Sequence, residues 1–172
     1  FQSRLVDRLF PEMKRRIEAH RAKGHTLILA SSATAFQVEP AAKYLGFDHV
    51  LCSRFEVKEG RMTGRATGAP MWGEGKANAV KAIAKKLHLD LRKSWAYADG
   101  NEEVPLMSTV GNPRPTNPQA RLEAAAKTRN WPVLKFTSRG RPSAGTVMRT
   151  TAALSAVGPL STLAMAAQSS RA

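Results

Sequence analysis

The sequence predicts an α/β fold in which helices cover a mostly parallel sheet. The continuous apolar run from His25 to Ala30 is typical of a strand that is buried on both faces of a parallel sheet. A helical segment at about residues 36–45 and a second short strand at residues 48–52 follow it, and this order predicts a βαβ unit. A further helix, from about Lys76 to Leu87, precedes another short apolar run at residues 95–98.

The chain begins with the pattern of an amphipathic helix. Leu5, Leu9, Met13 and Ile17 recur every four residues, and Gly24 is a suitable stop. Pro11 either kinks this helix or marks its start, since proline is tolerated only in the first helical turn.

The remaining elements follow from local turn chemistry. Residues 55–57 and 62–64 flank a turn at Gly60 and predict a β-hairpin. The carboxyl-terminal elements are expected to be a short helix after residue 105, an extended segment at 114–117, a helix at 118–128 beginning with Pro118, and a strand at 132–136.

At 172 residues, the chain is long enough for one domain with a tail. We expect a domain at residues 1–136 and a basic Ser/Gly/Ala-rich linker or flexible tail at 137–172. Residues 1–123 hold 20 basic and 13 acidic side chains, whereas residues 124–172 hold 7 basic and none acidic. Such a basic stretch either attracts phosphate groups, nucleic acid or an anionic membrane, or forms a solvated linker.

Several classes are excluded or disfavoured. The single Cys52 excludes an internal disulfide and favours a reducing, cytoplasmic location. The uncharged stretch 152–167 is short for a membrane span but could form an interfacial or partner-docking helix, or a disordered end. We expect no nucleic acid partner, because no Gly/aromatic RNA-binding signature and no zinc pattern occur. Because a helical pattern begins directly at Phe1, we expect this sequence to be the remainder of a longer protein.

The segment Tyr97-Ala98-Asp99 to Leu106-Met107 predicts a metal site. Asp99 follows a buried strand and Glu103 lies four residues later, at the strand end where α/β sheets gather ligands. Two carboxylates suit Mg²⁺, which is bound by few carboxylates together with water and phosphate oxygens. The alternative is an acidic helix start, in which Glu102 and Glu103 complement the helix dipole.

Two further residues point to the same edge of the sheet. Ser31 ends the first strand, where its hydroxyl and nearby amides can bind an anion. Lys76 follows Gly73 and Gly75 at a helix start and can place a point charge on phosphate. Singly, Ser31 could be a helix cap and Lys76 one more surface charge. Together with the carboxylates they suit phosphoryl transfer, which depends on positioning and charge neutralisation.

These motifs resemble those of the haloacid dehalogenase (HAD) superfamily, in its phosphoserine-phosphatase-like branch, subfamily IB. Leu27 to Ser31 is similar to its phosphate-binding second motif, Glu74-Gly75-Lys76 to its third, and Tyr97-Ala98-Asp99 through Leu106 to its acidic fourth. The resemblance implies a Rossmann-like sheet with a hairpin insertion and a Mg²⁺-dependent phosphatase that acts on a small phosphorylated substrate through an aspartyl-phosphate. It assigns phosphate binding to Ser31, Ser32 and Lys76, a catalytic role to Lys76, and the metal to Asp99 and Glu103.

The sequence departs from this family in two places. Glu103 stands where the family usually has Asp, so its metal contact could run through water. No Asp-x-Asp motif occurs, although the family's nucleophile lies in one at the end of a central first strand. We therefore name no nucleophile, expect this chain alone to be inactive, and expect a gap or a forced direct pairing between strands 25–30 and 95–98.

Two alternative functions remain open. Part of this branch is fused to a C-terminal acyltransferase that acylates lysophosphatidic acid, so the chain could be an appendage of such an enzyme, with peripheral membrane contact through its tail. No His-x-x-x-x-Asp motif of that acyltransferase is present. The other alternative is a non-catalytic basic binding module.

Overall fold

The structure, a computed structural model, describes residues 9–137 and the backbone of residues 162–169. Its elements alternate between strands and helices, which confirms the predicted α/β fold. In chain order they are α1 (Pro11–Ala22), β1 (Thr26–Thr34), α2 (Ala35–Leu45), β2 (His49–Lys58), β3 (Arg61–Thr67), α3 (Glu74–Lys86), β4 (Leu89–Ala98), a 3₁₀ turn (Asn101–Glu103), α4 (Val104–Met107), β5 (Asn112–Pro115), α5 (Ala120–Thr128) and β6 (Thr162–Ser169).

The predicted βαβ unit is confirmed at β1, α2 and β2. The two strands pair in parallel, with Ile28 opposite His49 and Ala30 opposite Leu51. Helix α2 ends at Gly46, whose φ of 66° lies in the left-handed region that glycine adopts without strain. The chain then returns to the sheet, where the Asp48 carboxylate accepts a hydrogen bond of 2.7 Å from the Leu27 amide.

The predicted hairpin is also confirmed. Strands β2 and β3 are antiparallel, with Val57 opposite Met62, and Gly60 in the turn has a φ of 75°. Every residue of β3 is exposed, so this hairpin extends away from the core.

The six strands form one sheet in the order β3-β2-β1-β6-β4-β5. The largest cluster of buried apolar side chains lies where α3, α4 and α5 cover this sheet. Its members include Ile28, Val80, Ala96, Leu106 and Leu122, each with no measurable exposure. Burial of such side chains contributes on the order of 2 kcal/mol each, so this layer fixes the strand ends that carry the candidate site.

Strand β6 lies between β1 and β4, where we expected a gap or a direct pairing, so that expectation is wrong. β6 runs antiparallel to both neighbours, with Ala166 opposite Leu27 on one side and opposite Trp95 on the other. Main-chain pairing depends on backbone groups rather than on side-chain identity, which is why a small-residue segment can occupy this position. Residues 162–169 of the expected tail thus pair as a strand, and the character of the rest of 137–172 stays a prediction.

Helix α1 begins at Pro11, which is one of the two alternatives given above. Other boundaries differ from the sequence prediction: β1 continues past Ser31 to Thr34, β2 continues to Lys58, and β4 begins at Leu89 rather than near Trp95. Helix α5 begins at Ala120 rather than at Pro118, because the Gln119 amide donates to the Asp99 carbonyl at 2.8 Å and holds Gln119 extended.

Residues 132–136 do not form the predicted strand. One isolated bridge joins Leu134 to Thr116, and the Asn117 side chain replaces further pairing. Its amide nitrogen donates to the Phe136 carbonyl at 3.0 Å, and its oxygen accepts from the Phe136 amide at 2.9 Å. A single side chain thus satisfies backbone groups that a strand would otherwise pair.

Strand β5 forms one edge of the sheet and contains two prolines. The Thr116 amide donates to the Ala98 carbonyl at 2.8 Å, so the backbone N–H and C=O groups of the even-numbered residues of this segment point towards β4. Pro113 and Pro115 face outward. The Pro113 carbonyl accepts from the Arg114 guanidinium at 2.8 Å, and the Pro115 carbonyl accepts from the Leu134 amide at 2.8 Å.

No helix in the described part of the chain is long and apolar enough to cross a membrane. The predicted contact of the tail with a membrane, and the domain boundary after residue 136, stay predictions because residues 138–161 lie outside the described residues.

An aromatic cluster packs α1 against β4. The two Nδ1 atoms of His20 and His25 are 2.9 Å apart, His20 Nε2 lies 2.8 Å from the Tyr97 hydroxyl, and His25 stacks on Trp95. Burial, together with the charges of the neighbouring His25, Lys23 and Arg16, lowers the pKa of His20 from 6.5 to about 4. The packed state therefore favours neutral imidazoles.

We predict that stability falls in mild acid because of this cluster. The unfolded chain takes up a proton on His20 below its ordinary pKa of 6.5, whereas the folded chain resists protonation down to about 4. The free energy of unfolding should thus decrease as the pH falls from about 6.5 towards 4. Urea unfolding at several pH values measures this. His20→Gln should flatten the dependence, and an equally steep decrease in that variant would contradict the assignment.

We also predict that the chain needs β6 to fold. Truncation after Thr137 removes the shared neighbour of β1 and β4 and exposes their backbone groups. A central strand contributes on the order of the total stability of a small domain, roughly 5–15 kcal/mol. Thermal unfolding followed by circular dichroism should lose its cooperative transition. Deletion of residues 170–172 alone is the control. An unchanged midpoint after the longer truncation would show that β6 is dispensable.

Candidate active site

Asp99 lies directly after β4, in a loop that backbone hydrogen bonds hold on both sides. The Asp99 carbonyl accepts from the Gln119 amide, and the Gly100 carbonyl accepts from the Glu103 amide at 3.2 Å. The Asn101 side chain accepts from the Arg121 amide at 2.9 Å, which joins the loop to the start of α5. These bonds turn the chain sharply after the strand and return Glu103 towards the sheet.

Lys76 lies in the first turn of α3 and is completely buried. Its position depends on a close approach of the preceding loop, since a Cβ atom at Gly75 would lie 2.0 Å from the Pro70 carbonyl oxygen. Gly73, with a φ of 49°, takes the left-handed conformation that starts the helix. The two glycines thus direct the lysine stem inward rather than into solvent.

The ammonium of Lys76 forms an ion pair with the Glu103 carboxylate. The Glu103 side chain is 1% exposed and that of Lys76 is 0% exposed, so the pair is withdrawn from water. Oε1 of Glu103 takes this contact, while Oε2 has no hydrogen-bond partner. Burial raises the pKa of Glu103, and the Lys76 charge opposes that shift. The pair is therefore only partly satisfied by the described residues.

Asp99 lies in the same electrostatic environment. Burial raises its pKa above the ordinary value, the Glu102 carboxylate raises it further, and the Lys76 ammonium lowers it. Two crowded carboxylates and an unpartnered carboxylate oxygen are the donors that a hard cation such as Mg²⁺ prefers. The residues therefore fit the ion. No cluster of three or more acidic, His or Cys side chains suited to a metal occurs in the described part of the chain.

Ser31 lies at the same edge of the sheet but on the other side of β6. It pairs with Thr162, and continuing the register of β4 places Asp99 level with the same residue. Two strand spacings separate the backbones of Ser31 and Asp99 by roughly 10 Å, so the two residues share an edge of the sheet but are not adjacent. The Ser31 hydroxyl oxygen accepts from the Ala33 amide at 3.2 Å, and the neighbouring Ser32 carbonyl accepts from the Ser53 hydroxyl.

The structure thus brings Lys76, Asp99 and Glu103 together and leaves Ser31 and Ser32 across one strand. Sequence reasoning missed the residues that hold the acidic loop, which are Asn101 and Gln119. Their polar side chains carry no distinctive signal, because amides are common in loops. The role of Gly75 was visible only as a small residue before a helix, whereas the short distance to Pro70 requires coordinates.

Comparison with known proteins identifies a family for this chain. Residues 1–108 match the family model of the haloacid dehalogenase-like hydrolases. The chain is 33% identical over 129 residues to the "Inhibition of morphological differentiation protein" of Streptomyces azureus, covering 74% of this chain and 46% of the relative. It is 30% identical over 132 residues to a phosphoserine phosphatase of Mycobacterium tuberculosis, covering 77% of this chain and 43% of the relative. The chain thus spans somewhat less than half the length of these relatives.

The fold has a counterpart among solved structures. A substrate-bound phosphoserine phosphatase superposes with a TM-score of 0.60 at 21% identity, over 73% of this chain and 57% of that one. At this identity the likeness concerns the fold, and it agrees with the sheet and helices described above. The match over residues 1–108, the architecture and the buried lysine and carboxylates lead to one conclusion: the chain belongs to the haloacid dehalogenase-like hydrolases.

Proposed function

We propose that the protein containing this chain is a Mg²⁺-dependent hydrolase of small phosphomonoesters. The observation that carries the proposal is the buried Lys76–Glu103 pair beside Asp99 at the carboxyl end of β4. A cation, carboxylates and a strand end are the parts that phosphoryl transfer needs for charge neutralisation. Membership of a hydrolase family and the relative named as a phosphoserine phosphatase support the same reaction class.

Asp99 and Glu103 would hold the metal. Burial disfavours the charge of both carboxylates, and Oε2 of Glu103 has no partner to compensate it. A divalent cation would supply that compensation and, when bound, would neutralise negative charge on the phosphoryl group. The longer side chain of Glu103, which already contacts Lys76, agrees with contact through water rather than direct coordination.

Lys76 and Ser31 would bind the phosphoryl oxygens. An ammonium has three N–H donors, and the contact with Glu103 uses one of them. The Ser31 hydroxyl oxygen accepts from the Ala33 amide, so its own proton can be donated to a phosphate oxygen. Ser32 is the next residue of β1, which continues to Thr34, and would add a second hydroxyl. Strand β6 separates the backbones of Ser31 and Asp99 by roughly 10 Å, so a phosphoryl group in contact with both would lie beyond the edge of the sheet and not between the strands.

The nucleophile is the part that this sequence does not supply. The family resemblance implies an aspartyl-phosphate formed on an Asp-x-Asp strand, and no such motif occurs in the 172 residues. We therefore propose that this chain by itself binds phosphate and Mg²⁺ but does not hydrolyse a phosphomonoester. Attachment to a lysophosphatidate acyltransferase and membrane contact rest on the resemblance and on the basic tail alone, and no feature of the described residues favours them.

We predict that Lys76→Met strongly destabilises the fold. The substitution leaves the Glu103 carboxylate buried and unpaired, which costs about 3–5 kcal/mol in measured cases. The double variant Lys76→Met/Glu103→Gln removes both charges and should recover most of this loss. Urea unfolding of wild type and both variants measures it. The deficit of Lys76→Met should be smaller at pH 5 than at pH 7.5, because the unpaired carboxyl then takes up a proton. Equal stability of the single variant and wild type would refute the pair's role.

We predict that Asp99→Asn in the whole protein abolishes Mg²⁺-dependent hydrolysis while the fold persists. Burial and Glu102 already disfavour the Asp99 charge, so the neutral amide should leave the thermal midpoint equal or higher. Calorimetric titration with Mg²⁺ and p-nitrophenyl phosphate turnover measure the two functions. Glu102→Gln, which removes the same charge from the same loop, is the matched control and should retain both. Full activity of Asp99→Asn would exclude the residue as a metal ligand.

A further inference from the structure

A cleft of about 610 Å³ is lined by residues outside the candidate site. Its apolar side, here called the floor, consists of Leu91, Val104 and Pro105, and the charged side chains of the lining come from α3, α5 and the residue that follows α5. This volume lies in the range of small-molecule sites, which combine an apolar floor with a few converging polar groups. The cleft shares none of Ser31, Lys76, Asp99 or Glu103 with the proposed active site.

Three cations converge on this cleft. Lys81 extends from α3, Arg121 extends from α5, and Arg129 directly follows α5. Within residues 9–137, the five ion pairs of the structure include none of these three side chains. Arg129 instead lies over the Trp131 ring, with its guanidinium carbon 5.2 Å from the ring centroid. Glu74 is the one acidic side chain that lines the cleft, so its formal lining charge is positive.

The hydroxyls in the cleft favour a ligand that carries a hydrogen-bond donor. Ser108 donates to the Val104 carbonyl at 2.8 Å, and Thr109 donates to the Leu106 carbonyl at 2.7 Å. Because both hydroxyl protons are already used, these oxygens remain as acceptors. A suitable occupant therefore carries several negative charges, a short apolar body and a hydrogen-bond donor.

We propose that this cleft, lined by Lys81, Arg121 and Arg129, binds a small organic polyanion bearing carboxylate or phosphate groups. The arginines favour planar oxyanions through paired N–H donors, and Lys81 adds a point charge. The apolar floor holds the carbon skeleton. The occupant would contact Val104 and Pro105, the residues that follow Glu103, yet the site does not depend on the proposed phosphatase activity.

Calorimetric titration of the chain at low salt with tricarballylate, and separately with pyrophosphate, tests this proposal. We expect tricarballylate to bind at one site of about millimolar affinity or tighter. Pyrophosphate can also bind at the proposed phosphate site of Ser31 and Lys76, so only the binding that Lys81→Gln/Arg129→Gln weakens is assigned to the cleft. Lys81→Gln/Arg129→Gln should weaken it by about tenfold, since two exposed charge contacts are lost. Glu74→Gln should tighten it, because it removes the opposing charge. Binding of tricarballylate alone identifies carboxylates as the preferred groups, and binding of pyrophosphate alone identifies phosphate.

A matched control separates the cleft from general attraction to a chain of charge +14. Lys85→Gln/Lys127→Gln removes the same charge from the same two helices, at exposed positions that do not line the cleft. These substitutions should leave the affinity within about twofold. Ligand binding should also change the tryptophan fluorescence of the protein through Trp131. This change should be absent in Trp131→Phe. The proposal would be overturned if neither probe bound at about 10 mM, tenfold above the expected dissociation constant of about 1 mM. It would also be overturned if the two double variants weakened binding equally.

Discussion

The buried ion pair between Lys76 and Glu103 is the interaction on which the carboxyl edge of the sheet depends. Taking two charges out of water costs several kcal/mol per ion, and neither residue alone could remain charged at this depth. Each therefore fixes the other, and through them the first turn of α3 is joined to the loop after β4. The close approach of Pro70 to Gly75 and the hydrogen bonds of Asn101 and Gln119 hold the two partners in register.

The ion pair that stabilises this edge of the sheet is also part of the proposed active site. The apolar layer formed by Val80, Leu106 and Leu122 sets the distance between α3, α4 and α5. The Lys76–Glu103 pair lies where that layer meets the end of β4. Burial raises the pKa values of Asp99 and Glu103 and leaves one carboxylate oxygen unsatisfied. Under the proposed function, a bound cation would satisfy this oxygen.

Much of the fold was predictable because it is encoded locally. The apolar run at 25–30, the glycine stops and the turn at Gly60 determine β1, α2 and the hairpin without reference to distant residues. The proximity of Asp99, Glu103 and Lys76 was predictable because strand ends in an α/β sheet share an edge. The sequence prediction failed where a distant segment or a side chain makes the hydrogen bonds that were expected from a neighbouring strand. Residues 162–169 form a central strand, although their composition does not predict one. The Asn117 side chain makes the hydrogen bonds to Phe136 that a strand at 132–136 would have made. Periodicity carries no information about either exchange, since any backbone segment or amide can supply the bonds.

The two prolines of β5 decide how this sheet meets other molecules. Its outer side offers no amide donors, because Pro113 and Pro115 lack them, and both outward carbonyls are already engaged by Arg114 and Leu134. A neighbouring chain therefore finds nothing to pair with at this edge, which suppresses the edge-to-edge association that open sheets invite. The opposite edge is β3, whose residues are all exposed. Any growth of the sheet by strand addition, whether by a second copy or by an extended peptide, is thus confined to the hairpin side.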